Sequence, residues 1–347
     1  MALIESVPNI SEGRRPEVVG AIVEAVRQSG PVRLLDLSSD PDHNRSVLTL
    51  AGDPSAVGAA LEALVAASVE RIDLRDHTGH HPRMGAIDVV PLVPIRDIGM
   101  EDCVRLARSL GETIAARHGL PVYLYEEAAT AEHRRDLAAV RKGEFEGFAA
   151  KMRDPLWKPD FGPARVHPTA GCVAIGAREF LIAFNVNLTT SDLEVARKVA
   201  KAIRHSSGGL RYVKAMGVML DERHLAQVSI NLTDFRRTPV HRALEMVRCE
   251  AARYGAGIAG TEIVGLVPED ALLQAAEFYL RIEGFDTGRV LERRLSETEA
   301  LPASVAAALR AAAGRRAEAR GGGHRRHRLS TGPDDGGGRD GKTRRRR

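Results

Sequence analysis

DPSAVGAALEALVAASVE, residues 53–70, opens with an aspartate and a proline and continues with apolar residues at helical spacing. Aspartate accepts hydrogen bonds from the first free amides of a helix, and proline fits the first helical turn. The apolar residues that share one stripe are Val57, Leu61, Leu64 and Val65. The segment therefore predicts a helix over residues 54–70 with one apolar face.

A second helix of this kind is predicted in the other half of the chain, where Thr238-Pro239 opens it and Gly255 ends it. Around the two helices the same order of elements occurs twice. The first set is strand 3–9, helix 16–29, strand 32–37, strand 46–51, helix 54–70 and strand 86–95. The second set is strand 180–188, helix 191–205, strand 211–220, strand 224–232, helix 239–254 and strand 257–266.

The repeated order, βαββαβ, is that of the ferredoxin-like fold, in which an antiparallel sheet carries both helices on one face. The predicted fold class is therefore α+β, with two ferredoxin-like subdomains. We place the first subdomain at residues 1–175 and the second at 176–296. A helical and then disordered basic tail is predicted at 297–347.

Between the two sets, the sequence predicts a helix at about 101–118, a short strand at 122–125 and a charged helical stretch at 132–151. The next segment, Asp154 to Gly171, contains four prolines and the only tryptophan. This composition is typical of a rigid linker, and its aromatic and basic side chains could also line a ligand cleft. We expect the segment to be the hinge between the subdomains.

The net charge of +4 at pH 7 comes from the tail. Residues 314–347 hold twelve Lys or Arg and four Asp or Glu, a surplus of eight positive charges. Residues 1–313 therefore carry a net charge of −4, so nucleic-acid binding does not follow from the overall charge. Because the tail has almost no apolar side chains, we expect it to be disordered.

Three cysteines, Cys103, Cys172 and Cys249, show no metal-binding or disulfide spacing, which fits reduced thiols in a cytosol. The first residues lack the basic and apolar regions of a signal peptide, and no apolar run is long enough to span a membrane. The sequence thus predicts a cytoplasmic protein that has no membrane partner.

DHTGHHPRMGAID, residues 76–88, places three histidines, an arginine and two aspartates in a segment with glycine and proline. Such a segment is a loop, and the apolar run after it puts the loop at the mouth of a strand, where scaffolds usually present chemistry. Histidine is the usual proton-transfer group near neutral pH. His77 and His80 taken singly are best explained as surface residues. His81 differs, because a proline follows it and restricts its backbone and Arg83 stands close behind.

A metal site is the alternative explanation of this loop, because neutral imidazoles are common zinc ligands. The three histidines lack a second cluster at a recognised ligand spacing, and the helical motif of two histidines and a glutamate is absent. We therefore expect no metal and interpret the segment as an active-site loop.

Five blocks of sequence, in order, resemble the glutamate formimidoyltransferases, and the resemblance extends over residues 3–295. The blocks are VPNISEG (7–13), HPRMGA (81–86), PVYLY (121–125), DFGP (160–163) and LIAFNVN (181–187). Such a series is far more specific than a single motif. The chain is similar to the free-standing form of the formiminotransferase domain that animals carry fused to a cyclodeaminase.

The resemblance implies transfer of a formimino group between N-formimino-L-glutamate and tetrahydrofolate in histidine degradation. Tetrahydrofolate is then the co-substrate, and the family suggests a homodimer. The general base of the family corresponds to His81. The folate-contacting segment corresponds to Gly162, Pro163, Ala164, Arg165, Val166, His167, Pro168, Thr169, Ala170 and Gly171. The implied fold, two ferredoxin-like subdomains whose facing sheets leave a substrate tunnel, agrees with the two βαββαβ sets.

The implied chemistry accounts for these residue types. An amine attacks an amidine carbon, and a proton must be removed before the other amine leaves, which a positioned imidazole can do. The substrates carry carboxylates, which Arg83 could bind through two hydrogen bonds. Asn44, in a turn that matches the family, is a second substrate-binding candidate. A serine stands where the family carries an aspartate, so the carboxylate that orients His81 stays open between Asp36 and Asp40.

Two other functions stay open at this point. The same scaffold could transfer or ligate a formyl group instead of a formimino group. A non-catalytic folate-binding or nucleic-acid-binding protein is the other alternative, and only the basic tail supports nucleic acid as the partner. Turnover of formiminoglutamate distinguishes the first function from both alternatives.

Overall fold

The computed structural model describes residues 1–79 and 81–296. His80 and the predicted tail at 297–347 lie outside the described residues. Residues 1–281 form one compact unit, which holds two β-sheets.

The first βαββαβ set folds in the predicted order. Its elements are β1 (Leu3–Ser6), β2 (Asn9–Ile10), α1 (Pro16–Gln28), β3 (Arg33–Asp40), β4 (Arg45–Gly52), α2 (Pro54–Arg71) and β5 (Ile87–Arg96). β1 and β2 are two parts of the one predicted strand, and both pair antiparallel with β4 on one side and β5 on the other. β3 pairs antiparallel with the free side of β4. This is the ferredoxin-like strand arrangement.

Three further elements, α3 (Met100–His118), β6 (Val122–Glu126) and β7 (Val173–Ala177), extend the sheet beyond β5. β7 lies between β5 and β6 and is parallel to both, so the sheet has seven strands. The sequence analysis missed β7. A strand buried on both faces reads as a short apolar run without alternation, and periodicity alone does not identify such a run.

The position of β7 corrects the interpretation of residues 154–171. This segment precedes a strand of the first sheet, so it is not the hinge between the subdomains. A buried ion pair fixes it, because Arg134 Nη1 lies 2.9 Å from Asp160 Oδ1 and the Leu124 amide donates to Asp160 Oδ2 at 2.8 Å. The first sheet continues two residues past the predicted boundary at 175.

The predicted helical stretch 132–151 is divided into a single turn at Glu132–Arg134, α4 (Leu137–Arg141) and α5 (Glu144–Lys151). The ring of Phe148, on α5, contacts the ring of Tyr123 edge to face with 5.3 Å between centroids. The two rings belong to a small apolar cluster on the face of the sheet that does not carry α1 and α2. α5 therefore covers one end of that face.

The second set also folds in the predicted order. Its elements are β8 (Ile182–Leu188), α6 (Leu193–Ile203), β9 (Val213–Leu220), β10 (Leu225–Leu232), α7 (Val240–Ala252) and β11 (Ile258–Val264). The strands lie in the order β11-β8-β10-β9 and all pairs are antiparallel. The predicted α+β class with two ferredoxin-like sheets is confirmed. α8 (Glu269–Leu280) follows, and residues 282–296 contain a turn at Thr287–Arg289 and α9 (Leu291–Ser296).

Each sheet has its own core between the strands and the helices. Ile22 on α1, Leu61 on α2, and Leu48 and Leu50 of β4 belong to one core cluster, and all four are fully buried. The second core is separate and is built in the same way from β8, β10, α6 and α7. Since side chains alternate along a strand, the other face of each sheet is left for other uses. Within the described residues, no helix is both long enough and apolar enough to cross a membrane.

We predict that Leu61→Ala lowers the free energy of unfolding by about 2–5 kcal/mol, because it leaves a cavity in the fully buried core of the first sheet. Leu156→Ala is the matched control, since Leu156 is 62% exposed and such surface changes usually stay within about 0.5 kcal/mol. Urea unfolding followed by circular dichroism measures both variants. Equal losses in the two variants would contradict the described packing.

Candidate active site

A cavity of about 870 Å³ is lined by residues of both sheets. From strands of the first sheet these are Glu5, Asn9, Asp36, Ser38, Arg45, Val47, Thr49, Val89, Pro91, Tyr125 and Glu126, and from strands of the second Ala183, Lys214, Asn231 and Val264. Along most strands they are alternate residues, so they share the faces opposite the two helix-packed cores. The volume lies in the range of pockets that hold small organic ligands.

His81 lines this cavity from the loop before β5, and its side chain is 11% exposed. Its two ring nitrogens face opposite charges. Nε2 lies 3.6 Å from Oδ2 of Asp88, and Nδ1 lies 3.5 Å from Nη1 of Arg45. Burial lowers the pKa of His81; Asp88 opposes this effect and Arg45 adds to it. The imidazole is therefore held neutral near neutral pH, as a proton acceptor must be.

Asp88 is the carboxylate next to His81, and it is 1% exposed. Its Oδ1 accepts a 2.9 Å hydrogen bond from the Met84 amide, and its Oδ2 lies 2.5 Å from Nη2 of Arg141. Burial alone would raise the pKa of Asp88, but Arg141, His81 and the Met84 amide together hold it below the usual value. Asp88 is therefore a carboxylate ion at neutral pH.

The two aspartates named in the sequence analysis lie elsewhere. Asp40 binds the Nδ1 atom of His43 at 2.8 Å and also accepts hydrogen bonds from the amides of Asp42 and His43. Asp36 lines the cavity from β3. The carboxylate that the structure brings to His81 is Asp88, so the expectation of Asp36 or Asp40 is corrected.

Arg83 also differs from the expectation of a substrate-binding cation. Its guanidinium is buried and donates to both carboxylate oxygens of Glu146, at 2.7 and 2.9 Å, and to Nδ1 of His77 at 3.0 Å. Glu144 lies 3.4 Å from the same guanidinium. The donors of the Arg83 guanidinium are thus bonded to protein groups. These bonds connect the loop before β5 to α5.

His77 and Asn44 fasten the same loop to the turn between β3 and β4. His77, expected at the surface, is buried, and its Nε2 lies 2.9 Å from the backbone oxygen of Asn44. The side chain of Asn44 accepts from the Gly13 amide at 2.9 Å and donates to the Thr78 oxygen at 3.0 Å. Asn44 has a φ of 48°, a left-handed conformation that asparagine tolerates better than most residues. Its side chain thus joins three segments and does not line the cavity.

The predicted folate segment, 162–171, packs against the loop that carries His81. The Ala86 amide donates to the Ala170 oxygen at 2.9 Å, and the Cys172 amide donates to the Met84 oxygen at 2.9 Å. Gly171 has a φ of 70°, and a Cβ placed on it would lie 2.2 Å from the Met84 oxygen, so a glycine is needed for this close approach. No residue of this segment lines the cavity described above.

The floor of the cavity beyond His81 contains two carboxyls and a phenol. Glu5 is 5% exposed, and burial raises its pKa to about 7 while Arg178 opposes the shift. Burial likewise raises the pKa of Glu126, and that of Tyr125 to about 12. The Tyr125 ring lies across Gly176, where any side chain would meet the ring within 2.6 Å. A glycine on β7 thus lets the ring lie flat on the sheet.

Several of these site residues were not predicted. Asp88 belongs to the histidine-rich segment and lies at the start of an apolar strand. A charged residue in such a strand could have indicated a functional role, because a buried charge needs a partner. Arg45 follows a predicted candidate by one residue. Arg141 carried no signal, since only the folded chain brings α4 to the loop before β5. Across residues 1–79 and 81–296, no three His, Cys, Asp or Glu side chains are grouped to hold a metal ion.

Two ferredoxin-like sheets that line a common polar cavity, with a buried neutral imidazole at its wall, are the features of an enzyme acting on a small molecule. Residues 3–178 match the N-terminal subdomain of the formiminotransferase domain, and residues 183–292 match the formiminotransferase domain. The chain belongs to the formiminotransferase domain family.

Similar proteins include enzymes that this chain matches over almost their whole length. The chain is 49% identical over 299 residues to the glutamate formimidoyltransferase of Thermoplasma acidophilum, which covers 86% of this chain and 98% of that protein. It is 47% identical over 294 residues to that of Streptococcus pyogenes serotype M1, covering 84% and 98%. The formimidoyltransferase-cyclodeaminase of Sus scrofa is 44% identical over 287 residues, which is 81% of this chain and 53% of that protein.

We predict that the wild-type protein loses stability as the pH falls below about 6.5, partly through His77. Burial lowers the pKa of His77, with Arg83 and Arg14 adding to the effect and the Asn44 oxygen and Glu12 opposing it. The unfolded chain therefore binds the proton at a higher pH than the folded chain, and folding is favoured above that pH.

The test compares the wild type with His77→Gln, whose amide can still accept from Arg83 and donate to Asn44 but does not titrate. Melting temperatures are measured at pH 7.5 and 5.5. The decrease on acidification is expected to be smaller in the variant. An equal decrease in both proteins would show that His77 is not protonated on unfolding in this range.

Proposed function

We propose that this chain is a glutamate formimidoyltransferase, a folate-dependent enzyme that moves a formimino group between N-formimino-L-glutamate and tetrahydrofolate in histidine degradation. The observation that carries the proposal is the near 50% identity to two glutamate formimidoyltransferases over 98% of their lengths. The cavity with His81 supports it. The direct test is to mix purified protein, formiminoglutamate and tetrahydrofolate and to follow 5-formiminotetrahydrofolate and glutamate.

His81 is proposed as the general base. Asp88 faces Nε2 and favours the tautomer that carries its proton there, which leaves the lone pair on Nδ1 to accept a proton. When an amine attacks the amidine carbon of the formimino group, Nδ1 takes the proton of the attacking nitrogen. The same imidazole then returns a proton to the leaving nitrogen, so the group is transferred without a net change in His81.

Asp88 is proposed as the residue that positions His81. Its other contacts, the Met84 amide and Arg141, hold the carboxylate in place before any substrate binds. A carboxylate beside the imidazole also stabilises the imidazolium formed after proton transfer, as in other catalytic pairs of this kind. Asn44 and Arg83, the two predicted substrate-binding residues, are proposed to act by holding the loop of His81 in place.

Tetrahydrofolate is the proposed co-substrate, and the cavity is proposed to be the substrate tunnel that the family resemblance implies. The tunnel proposal is supported by the lining of the cavity, to which both sheets contribute. The segment 162–171 is proposed as a folate contact from outside this cavity, through its exposed residues Ala164, Arg165 and Pro168. A cytoplasmic homodimer is part of the same proposal, and the unpaired thiols of the three cysteines support the cytoplasmic location.

We predict that His81→Ala lowers kcat by about a hundredfold or more, as expected for loss of a general base, while the Kd for tetrahydrofolate stays nearly unchanged. His43→Ala is the matched control, because His43 is an exposed histidine bound to Asp40 that does not line the cavity. Steady-state rates and calorimetric titration give the two quantities. Similar rates in the two variants would rule out His81 as the base.

We predict that the reaction needs no metal ion, because the proposed chemistry uses the free imidazole of His81. A cation at Nδ1 would lie beside the positive charge of Arg45, which would repel it. Rates are measured before and after dialysis against a strong chelator, and metal content is measured by mass spectrometry. Loss of activity on chelation, restored by one equivalent of zinc, would disprove the prediction.

A further inference from the structure

Two guanidinium groups reach the surroundings of His81 from different elements. Arg45 is the first residue of β4, and its Nη1 lies 3.5 Å from His81 Nδ1. Arg141 is the last residue of α4, and its Nη2 lies 2.5 Å from Asp88 Oδ2, the atom nearest to His81 Nε2. Both arginines line the cavity.

Neither guanidinium is fully satisfied. The Nε atoms of Arg45 and Arg141 are both buried and have no hydrogen-bond partner among the described residues. Buried donors in proteins are usually paired, and each guanidinium offers five N–H donors in one plane. Nε2 of His81 and Oδ2 of Asp88 are also buried and unpaired, but these two atoms face each other at 3.6 Å. The two Nε donors have no such counterpart among the described residues and point to an acceptor that is not part of the protein.

The charged groups around His81 are two arginines and two aspartates. Arg45 and Arg141 are two positive charges, and Asp88 is the one carboxylate in contact with Arg141. Asp40, the other carboxylate that acts on Arg45, is bound to His43. Burial lowers the pKa of Arg45 and the charge of Arg141 adds to this effect, so an anion between the two cations would relieve a real cost.

Three other cations of the cavity have carboxylate partners on the protein. Arg135 lies 2.5 Å from Glu127, Lys214 lies 2.9 Å from Asp136, and Arg237 lies 3.5 Å from Asp234. Arg197 on α6 pairs with Glu194, has a side chain 58% exposed and does not line the cavity, so it offers a control.

We propose that Arg45 and Arg141 form a subsite for a carboxylate of the ligand, directly beside His81. A carboxylate is planar and matches the fork of a guanidinium through two parallel hydrogen bonds, which also orients the molecule that carries it. The proposal rests on the proposed function, whose substrates carry carboxylates on the formiminoglutamate and on the glutamyl tail of the folate. It assigns to Arg45 and Arg141 the binding that the sequence suggested for Arg83.

The experiment uses the wild type, Arg45→Gln, Arg45→Lys and, as control, Arg197→Gln. KM is measured for N-formimino-L-glutamate and for its two monoamides, in which one carboxylate is replaced by a carboxamide. For Arg45→Gln we expect KM of the full substrate to rise about ten- to a hundredfold, the loss expected for hydrogen bonds between charged groups. Arg45→Lys is expected to recover part of this loss, and Arg197→Gln, a change at an exposed ion pair, is expected to change KM less than about threefold.

The decisive observation is whether the effect of Arg45→Gln on KM depends on the carboxylate that was removed from the substrate. If Arg45 binds a carboxylate of formiminoglutamate, the monoamide lacking that carboxylate binds poorly to the wild type, and Arg45→Gln adds little further loss. A second arm compares tetrahydrofolate with tetrahydropteroate, which lacks the glutamyl tail. Coupling in that arm would identify the folate tail as the source of the carboxylate and would equally support the subsite.

Two results would overturn the proposal. One is an unchanged KM for every substrate in Arg45→Gln. The other is that, with the monoamides and with tetrahydropteroate alike, Arg45→Gln raises KM by the same factor as with the full substrate. Failure of the proposed function is recognised separately, because the wild type would then not turn over formiminoglutamate. In that case calorimetric titration of L-glutamate and folate into the wild type and Arg45→Gln still tests carboxylate binding, and equal affinities in the two proteins would refute it.

Discussion

The buried carboxylate of Asp88 contacts both the residues that hold the fold together at this site and His81, the proposed base. It is almost fully buried, and it is held by the Met84 amide and by Arg141, a residue of α4. A buried carboxylate is tolerable only with such partners, and removing one of them would leave an uncompensated charge. The same ion lies 3.6 Å from Nε2 of His81, so in the proposed mechanism the position of the imidazole depends on an ion pair between distant parts of the chain.

The cavity exists because each sheet uses one face for its core and leaves the other free. Alternation along the strands places apolar residues under α1 and α2, and residues such as Glu5 and Thr49 on the opposite face. β6 and β7 widen the first sheet, and α5 closes one end of its free face. The seven-stranded sheet is thus larger than a ferredoxin-like unit needs, and the extra strands contribute Tyr125 to the cavity floor.

The described residues of the loop of His81 make contacts that a motif does not show. Arg83 binds Glu146 and His77, His77 binds the backbone of Asn44, and Gly171 lets a neighbouring segment pack against Met84. Such positioning interactions are what place a base within reach of a proton. The matching residues of the sequence blocks therefore include supporting residues as well as residues proposed to contact substrate.

The sequence alone determined the two βαββαβ sets, because capping residues, helix-ending residues and apolar period are local signals. It also singled out the segment of His81, since three imidazoles in a loop are rare. It missed β7, an apolar run without alternation, and misplaced the hinge as a result. Only the tertiary structure decided the partners of His81, because Asp88, Arg45 and Arg141 meet through packing between elements far apart in sequence. The same packing engaged Arg83 with Glu146 and left Arg45 and Arg141 with unpaired donors.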